Sequence, residues 1–184
     1  MQRNVIKVFD NLFTDIQKDF FESLIYGSEQ GTKLLPIIDF SIKYEGTAIE
    51  DGKIPITFNH ILKSSAKTSP WLDNFAIIPQ TVCQELNRYL IDIYFARIFL
   101  SIPYTTKLEQ YQPHTDMMMP HWVVIYYVND SEGDTVFYDY QDKEIQRVSP
   151  KKGRAVFFDG QIRHSGGIPK ERPRCLVNFD IRTN

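Results

Sequence analysis

Near the end of the chain, Cys175, Val177, Phe179 and Ile181 fall on one parity and Arg174, Asn178, Asp180 and Arg182 on the other. A period of two is the mark of a strand whose faces meet different surroundings, and a one-residue slip would turn every apolar side chain the wrong way. One face is therefore expected to seal a core and the other to line a polar cavity. Such a strand needs partners, and runs over 95–102, 122–128, 135–140, 145–148 and 154–158 read as strands separated by turn signals. The segment Asn129-Asp130-Ser131-Glu132-Gly133-Asp134 is expected to join 122–128 to 135–140 as a hairpin.

The first half reads differently. A short strand over 4–9 precedes a helix that starts at Thr14, with Gln17 at capping-box spacing, and stops at Gly27. Phe13, Ile16, Phe20 and Leu24 are expected to form its buried face. A second helix is predicted to begin at Pro79 and to carry Val82, Leu86, Leu90 and Ile93 on one side. Residues 28–78 read as loops and short strands, expected to supply lids and rim contacts. Helices followed by many short strands indicate an α+β class, mainly β, with N-terminal helices packed on one sheet. At 184 residues, one domain over 1–184 is expected, with a β core at about 95–182 and supporting helices and loops at 1–94.

Composition narrows the function. A net charge of −2 offers no broad positive field for a phosphate backbone, so nucleic acid is disfavoured as a partner. Lys151, Lys152 and Arg154 form too small a basic cluster to alter that, and are expected to be a solvated face. Cys83 and Cys175 lack the spacing of a zinc cluster or a disulfide framework. With no apolar leader or membrane-length apolar run, a soluble, cytoplasmic protein is expected.

The chemistry concentrates around His114-Thr115-Asp116. Ligand-type residues at i and i+2 of an extended segment point to the same side and can hold one metal. His164, before Gly166 and Gly167, is the natural third ligand. Two histidines and a carboxylate occupy one face of a six-coordinate metal site and leave positions open for substrate and dioxygen. The two glycines are expected to let the chain turn sharply near the metal.

The order of parts carries more information than the ligands alone. His114 and Asp116 are followed by Ile125-Tyr126-Tyr127-Val128-Asn129, then by Val148 to Phe158, by His164, and ten residues later by Arg174. Over 95–182 this order resembles the double-stranded β-helix (jelly-roll or cupin-like) core of the Fe(II)/2-oxoglutarate oxygenases, especially the prolyl 4-hydroxylase-like branch. The resemblance implies that His114, Asp116 and His164 bind Fe(II) and that Arg174 binds the distal carboxylate of 2-oxoglutarate, a planar guanidinium matching two carboxylate oxygens. It also implies that Tyr127, and in a similar part Tyr111, reach the co-substrate. Arg172 is the competitor of Arg174, and Asn178, Arg97, His121 and Arg172 are candidates for places behind the ligands or at the substrate rim. Met117, Met118 and Met119 suit either a substrate mouth or gap filling, and His60 is expected to be structural or exposed. The hairpin reads Glu132-Gly133-Asp134 where relatives often have two successive glycines.

The resemblance implies a dioxygenase that uses Fe(II), 2-oxoglutarate and O2, with ascorbate as a possible reductant. It would hydroxylate an unactivated C–H bond of a prolyl or other peptidyl residue, or of a small metabolite, and release succinate and CO2. Two alternatives stand beside it. A cupin-like hydrolase or isomerase could use the same ligands for zinc, although zinc gives no reason for Arg174, and a non-catalytic binding module could share the scaffold. Oligomeric state is not indicated by the sequence.

Overall fold

The computed structural model describes residues 5–27, 38–44, 56–105 and 107–184, so that part of the 28–78 segment lies outside the described residues. Among the described residues, ten strands and two helices follow in the order β1 (Ile6–Phe9), α1 (Asp15–Tyr26), β2 (Ser41–Tyr44), β3 (Ile56–Lys63), α2 (Leu72–Glu85), β4 (Leu90–Ser101), β5 (Trp122–Tyr127), β6 (Thr135–Tyr138), β7 (Glu144–Val148), β8 (Ala155–Asp159), β9 (Arg163–Ser165) and β10 (Arg174–Thr183). Seven strands form one antiparallel sheet in the order β1-β8-β5-β10-β4-β3-β2, and β7-β6-β9 form a smaller one. This is the mainly β, double-stranded β-helix class expected.

Strand β10 lies at the centre of the large sheet, between β4 and β5, which explains its alternation. Cys175, Val177, Phe179 and Ile181 join the core under the two helices, while Leu176 joins a second core between the sheets with Phe99, Ile125 and Phe158. The opposite face of β10 thus looks into the interior of the sandwich, where Arg174, Asn178 and Asp180 are also buried.

The expected hairpin between 122–128 and 135–140 does not form. Both edges of β5 are taken, by β8 and β10, so β6 pairs with β7 and β9 in the other sheet. The 129–134 segment carries the chain across. It is pinned to the opposite loop, as Asn129 donates to the Pro173 carbonyl at 2.7 Å and accepts from the Cys175 amide at 3.0 Å.

Helix α1 starts as expected. The Thr14 amide donates to Gln17 Oε1 at 2.9 Å, the Gln17 amide donates back to Thr14 Oγ1 at 3.4 Å, and Gly27 ends the helix with φ 82°. Its buried face differs from the sequence expectation: Phe21, Leu24 and Ile25 pack inward while Ile16 is 82% exposed and Phe20 45% exposed. Phe13, before the helix, packs edge-on against Phe21 and Tyr126, and this rotates the helix about its axis. The basic cluster is not a free solvated face either. Lys152 pairs with Asp19 and Glu22 of α1, and Arg154 pairs with Asp10 at 2.6 Å, clamping the helix to the sheet.

Helix α2 begins at Leu72, seven residues before Pro79, which lies inside it. Proline there forfeits one i to i−4 hydrogen bond. Burial of Phe75, Ile78, Val82 and Cys83 along one stripe offsets that loss. Leu86 is already the cap, and Leu90 and Ile93 belong to β4. Cys83 and Cys175 are buried and free. No helix among the described residues is long and apolar enough to cross a membrane.

Candidate metal centre and co-substrate pocket

His114 reaches the site from an extended segment that docks on β9. Gln110 bridges Gly167 and His114 bridges His164, so residues 110–114 run beside the small sheet as an additional row. His164 lies within β9, a strand absent from the sequence expectation. The two backbones are locked together, and Asp116 follows two residues after His114, on the same side.

The three side chains converge: one ligand atom from each of His114, Asp116 and His164 lies within 4.8 Å of the others. Nε2 of His114 is 3.6 Å from Asp116 Oδ1, and Nε2 of His164 is 3.5 Å from Asp116 Oδ2. In both rings Nδ1 faces a backbone carbonyl, that of Gln112 at 3.0 Å and that of Ile162 at 3.2 Å. An N–H at Nδ1 leaves the Nε2 lone pair free for a metal, which is how a ligating histidine is usually oriented. His164 is buried, whereas the His114 side chain is 47% exposed and marks the solvent side.

Charge at the site is set by Asp116. Burial works against its ionisation, yet His114, His164 and Arg97 together hold its carboxyl well below the usual carboxylate range. The hydrogen bond to Asp116 in turn raises His114 above its ordinary value, against the effect of burial. Asp180, on the next turn of the β10 pleat past Asn178, is pushed up to about 8 by burial and then by the negative charge of Asp116. Asn178 Nδ2 is 3.5 Å from Asp116 Oδ2.

A cavity of about 350 Å³ opens from the triad between the sheets, and Arg174 lies in its wall. The guanidinium is buried, 2% exposed, with Nε donating to the Gly133 carbonyl at 2.6 Å and Nη2 to Thr135 Oγ1 at 2.8 Å. Burial lowers its pKa, with Tyr127 and Tyr111 acting in the opposite sense. Among the described residues no carboxylate pairs with it. A buried cation without a protein counter-charge suits an anion arriving from solution.

Gly166 and Gly167 serve this pocket in a way not expected from sequence. Neither has a positive φ, so they make no left-handed turn. What they permit is close approach: a Cβ on Gly167 would lie 2.6 Å from the Gly133 carbonyl carbon, and one on Gly166 would lie 3.2 Å from Arg174 Nη1.

The other candidates sort by position. Tyr111 lines the cavity, with Oη 3.2 Å from Ser101 Oγ. Tyr127 is buried behind the wall, donating to Thr135 Oγ1 at 2.7 Å, with the Arg174 guanidinium 5.7 Å from its ring centroid. Arg97 and Asn178 line the cavity. His121 is buried beside Asp180, with Nε2 3.8 Å from Oδ1. Arg172 lies outside, exposed and paired with Glu132 at 2.7 Å. Met118 and Met119 are exposed, and His60 is structural, buried with Nε2 2.8 Å from Ser69 Oγ. Thr135, which joins Arg174 to Tyr127, was not among the sequence candidates: a threonine opening a strand carries no signal of its own. Asp180 was legible only as a polar residue on the inner face of β10.

The sequence model of the 2OG-Fe(II) oxygenase superfamily matches residues 101–181, the stretch that holds the triad and Arg174. No curated protein sequence matches the chain. In fold it is similar to the crystal structure of an oxidoreductase of the 2OG-Fe(II) oxygenase family from Burkholderia pseudomallei, with a TM-score of 0.70, 9% identity and coverage of 96% of this chain and 84% of that one. It is likewise similar to a Pseudomonas putida prolyl-4-hydroxylase, with a TM-score of 0.61, 14% identity and coverage of 97% and 93%. A third is the non-heme alpha ketoglutarate dependent epimerase SnoN from nogalamycin biosynthesis, with a TM-score of 0.67, 11% identity and coverage of 98% and 78%. The resemblance to the 2OG-Fe(II) oxygenases, prolyl 4-hydroxylases among them, therefore holds in sequence over the core and in fold over nearly the whole chain.

Proposed function

We propose that the chain is an Fe(II)- and 2-oxoglutarate-dependent dioxygenase that hydroxylates a C–H bond. The observation that carries this reading is the meeting, in one cavity, of a two-histidine, one-carboxylate set and a buried arginine that lacks a carboxylate partner among the described residues. The donor set fits iron: three ligands on one side, Nδ1 of each histidine turned to a backbone carbonyl so that Nε2 faces the site, and an open side toward solvent. Bound Fe(II) with O2 and 2-oxoglutarate would supply the oxidant for a C–H bond, the co-substrate leaving as succinate and CO2.

The chain's own residues bind, orient and exclude water. His114, Asp116 and His164 hold the metal, and the Gln112 and Ile162 carbonyls fix the two rings. Arg174 takes the distal carboxylate of the co-substrate, with Gly133 and Thr135 aligning its guanidinium and Tyr127 bracing Thr135 from behind. Tyr111 supplies a further hydroxyl at the wall, and Ile125 and Leu176 form an apolar floor between triad and arginine. Desolvation there strengthens the ion pair with Arg174. The substrate classes compatible with this reading are a peptidyl residue, prolyl included, and a small metabolite. Zinc hydrolysis on the same ligands would leave Arg174 without a task.

Purified protein given Fe(II), ascorbate, 2-oxoglutarate and O2 is expected to form succinate, and an Asp116→Ala variant is not. Absence of both 2-oxoglutarate binding and succinate formation in the wild-type protein would overturn the proposal.

A further inference from the structure

Arg97 of β4 stands opposite Asn178 of β10, and Ser101, four residues further along β4, stands opposite Arg174. At strand spacing the two arginine rows are about 13 Å apart. Phe99 and Leu176 fill the interval on the same face, and all four side chains line the cavity. The cavity thus has a cation at each end of an apolar floor. Arg174 is at the far end, and Arg97 is on the row of Asn178, beside Asp116.

Arg97 acts on the triad only through space, as one of the charges that keep Asp116 ionised. Its Nε is buried without a hydrogen-bond partner, and among the described residues no carboxylate forms an ion pair with it. Its charge acts on Asp116 and Asp180 without contact, and its guanidinium lies 5.3 Å from the Phe99 ring centroid. On the oxygenase reading, the two carboxylates of 2-oxoglutarate would be met by two cations, the metal and Arg174. A divalent metal with Asp116 and Arg174 balances that dianion, and Arg97 is left over. A guanidinium with no ion-pair partner among the described residues, at the edge of a cavity with polar walls and an apolar floor, suits a second carboxylate, bound by a planar fork.

We propose that Arg97 binds a carboxylate of the substrate itself, so that the substrate is a small free acid of about amino-acid size rather than an internal residue of a peptide. This rests on the oxygenase reading above. Size points the same way: about 350 Å³ is at the lower end of the range for small-molecule sites, and the co-substrate must share it.

Thermal stability of the protein loaded with Mn(II) and 2-oxoglutarate tests this, probed with free amino acids and short hydroxy acids, with their amides, and with prolyl peptides blocked at both ends. The expected result is a rise in melting temperature with one or more free acids, none with the matched amide or with blocked peptides, and at least a 10-fold loss of apparent affinity for that acid in Arg97→Gln. The 2-oxoglutarate affinity of Arg97→Gln should change several-fold less. Arg97→Lys, which keeps the charge, should recover part of the response if Arg97→Gln folds poorly. The proposal is overturned if no free acid stabilises the protein, if amides or blocked peptides do so equally, or if Arg97→Gln weakens 2-oxoglutarate or Mn(II) binding as much as acid binding. Failure of Mn(II) and 2-oxoglutarate themselves to stabilise the wild-type protein would instead count against the oxygenase reading.

Discussion

His114 and His164 exchange backbone hydrogen bonds, each amide donating to the other's carbonyl at 2.9 Å. The two proposed ligands, on segments fifty residues apart, are thereby set at a fixed spacing by the backbone alone, and Asp116 is left as the group that joins them. Removing it should be more costly than removing a residue behind the ligands. Outer partners of metal sites typically account for about 10- to 100-fold in affinity, so Asp116→Ala should weaken Mn(II) or Fe(II) binding by at least about 100-fold, measured by anaerobic calorimetry. The melting temperature of the metal-free protein should change little by comparison.

Acid should weaken metal binding earlier than an ordinary histidine would suggest. Hydrogen bonding to Asp116 raises His114 above 6.5, while Asp116 stays ionised across the working range. The metal must displace the His114 proton, so affinity should begin to fall above pH 6.5 as pH is lowered. Without metal the sign is opposite. A histidine raised on folding contributes stability that is full below its unfolded value and is lost as pH rises through its folded value. Melting curves across pH, with and without Mn(II), should therefore show a gap that widens as pH rises.

Arg174 separates ligand binding from folding. Replacing a buried charge with an apolar side chain of similar length removes a desolvation cost along with its hydrogen bonds. Arg174→Met should keep a melting temperature near wild type, yet raise the KM for 2-oxoglutarate by about 10- to 100-fold, the scale of a lost charge-assisted hydrogen bond of about 1.5–3 kcal/mol. Succinate assays over a range of 2-oxoglutarate concentrations read this directly.

Gly133 is the point at which a methyl group should damage both. A Cβ there would sit 2.5 Å from the Gly167 carbonyl oxygen and 2.8 Å from Arg174 Cδ. Gly133→Ala should cost about 1–3 kcal/mol, as overpacking does, and should also raise the KM for 2-oxoglutarate. Denaturant unfolding and the succinate assay test the two parts.

On α1 the structure reverses the ranking suggested by the sequence. Phe21→Ala should cost about 3–5 kcal/mol. Ile16→Ser, at a position 82% exposed, should stay within about 0.5 kcal/mol of wild type.

What was legible in the sequence follows from which interactions are local. The period of two in β10 depends only on the pleat, and the Thr14–Gln17 box closes within one turn, so both could be seen in advance. His114 and Asp116 were visible because they lie two residues apart. Helix α2 was misplaced because Pro79 reads as a start, and only burial of Phe75 and Ile78 against the sheet shows that it lies inside. The 129–134 turn resembles a hairpin locally, but β5 is occupied on both edges by strands distant in sequence. The rotation of α1 depends on Phe13 meeting Tyr126, more than a hundred residues away. Thr135 and the Gly133–Gly167 contact are likewise products of the two sheets coming together.

The most direct measurement is an anaerobic titration of the Fe(II)-loaded protein with 2-oxoglutarate, followed by the visible metal-to-ligand charge-transfer absorption of the chelate. The expected result is a band that saturates at one equivalent, is absent in His164→Ala, and needs far more 2-oxoglutarate in Arg174→Met. No band in the wild-type protein, or a band unaffected by both substitutions, would contradict it.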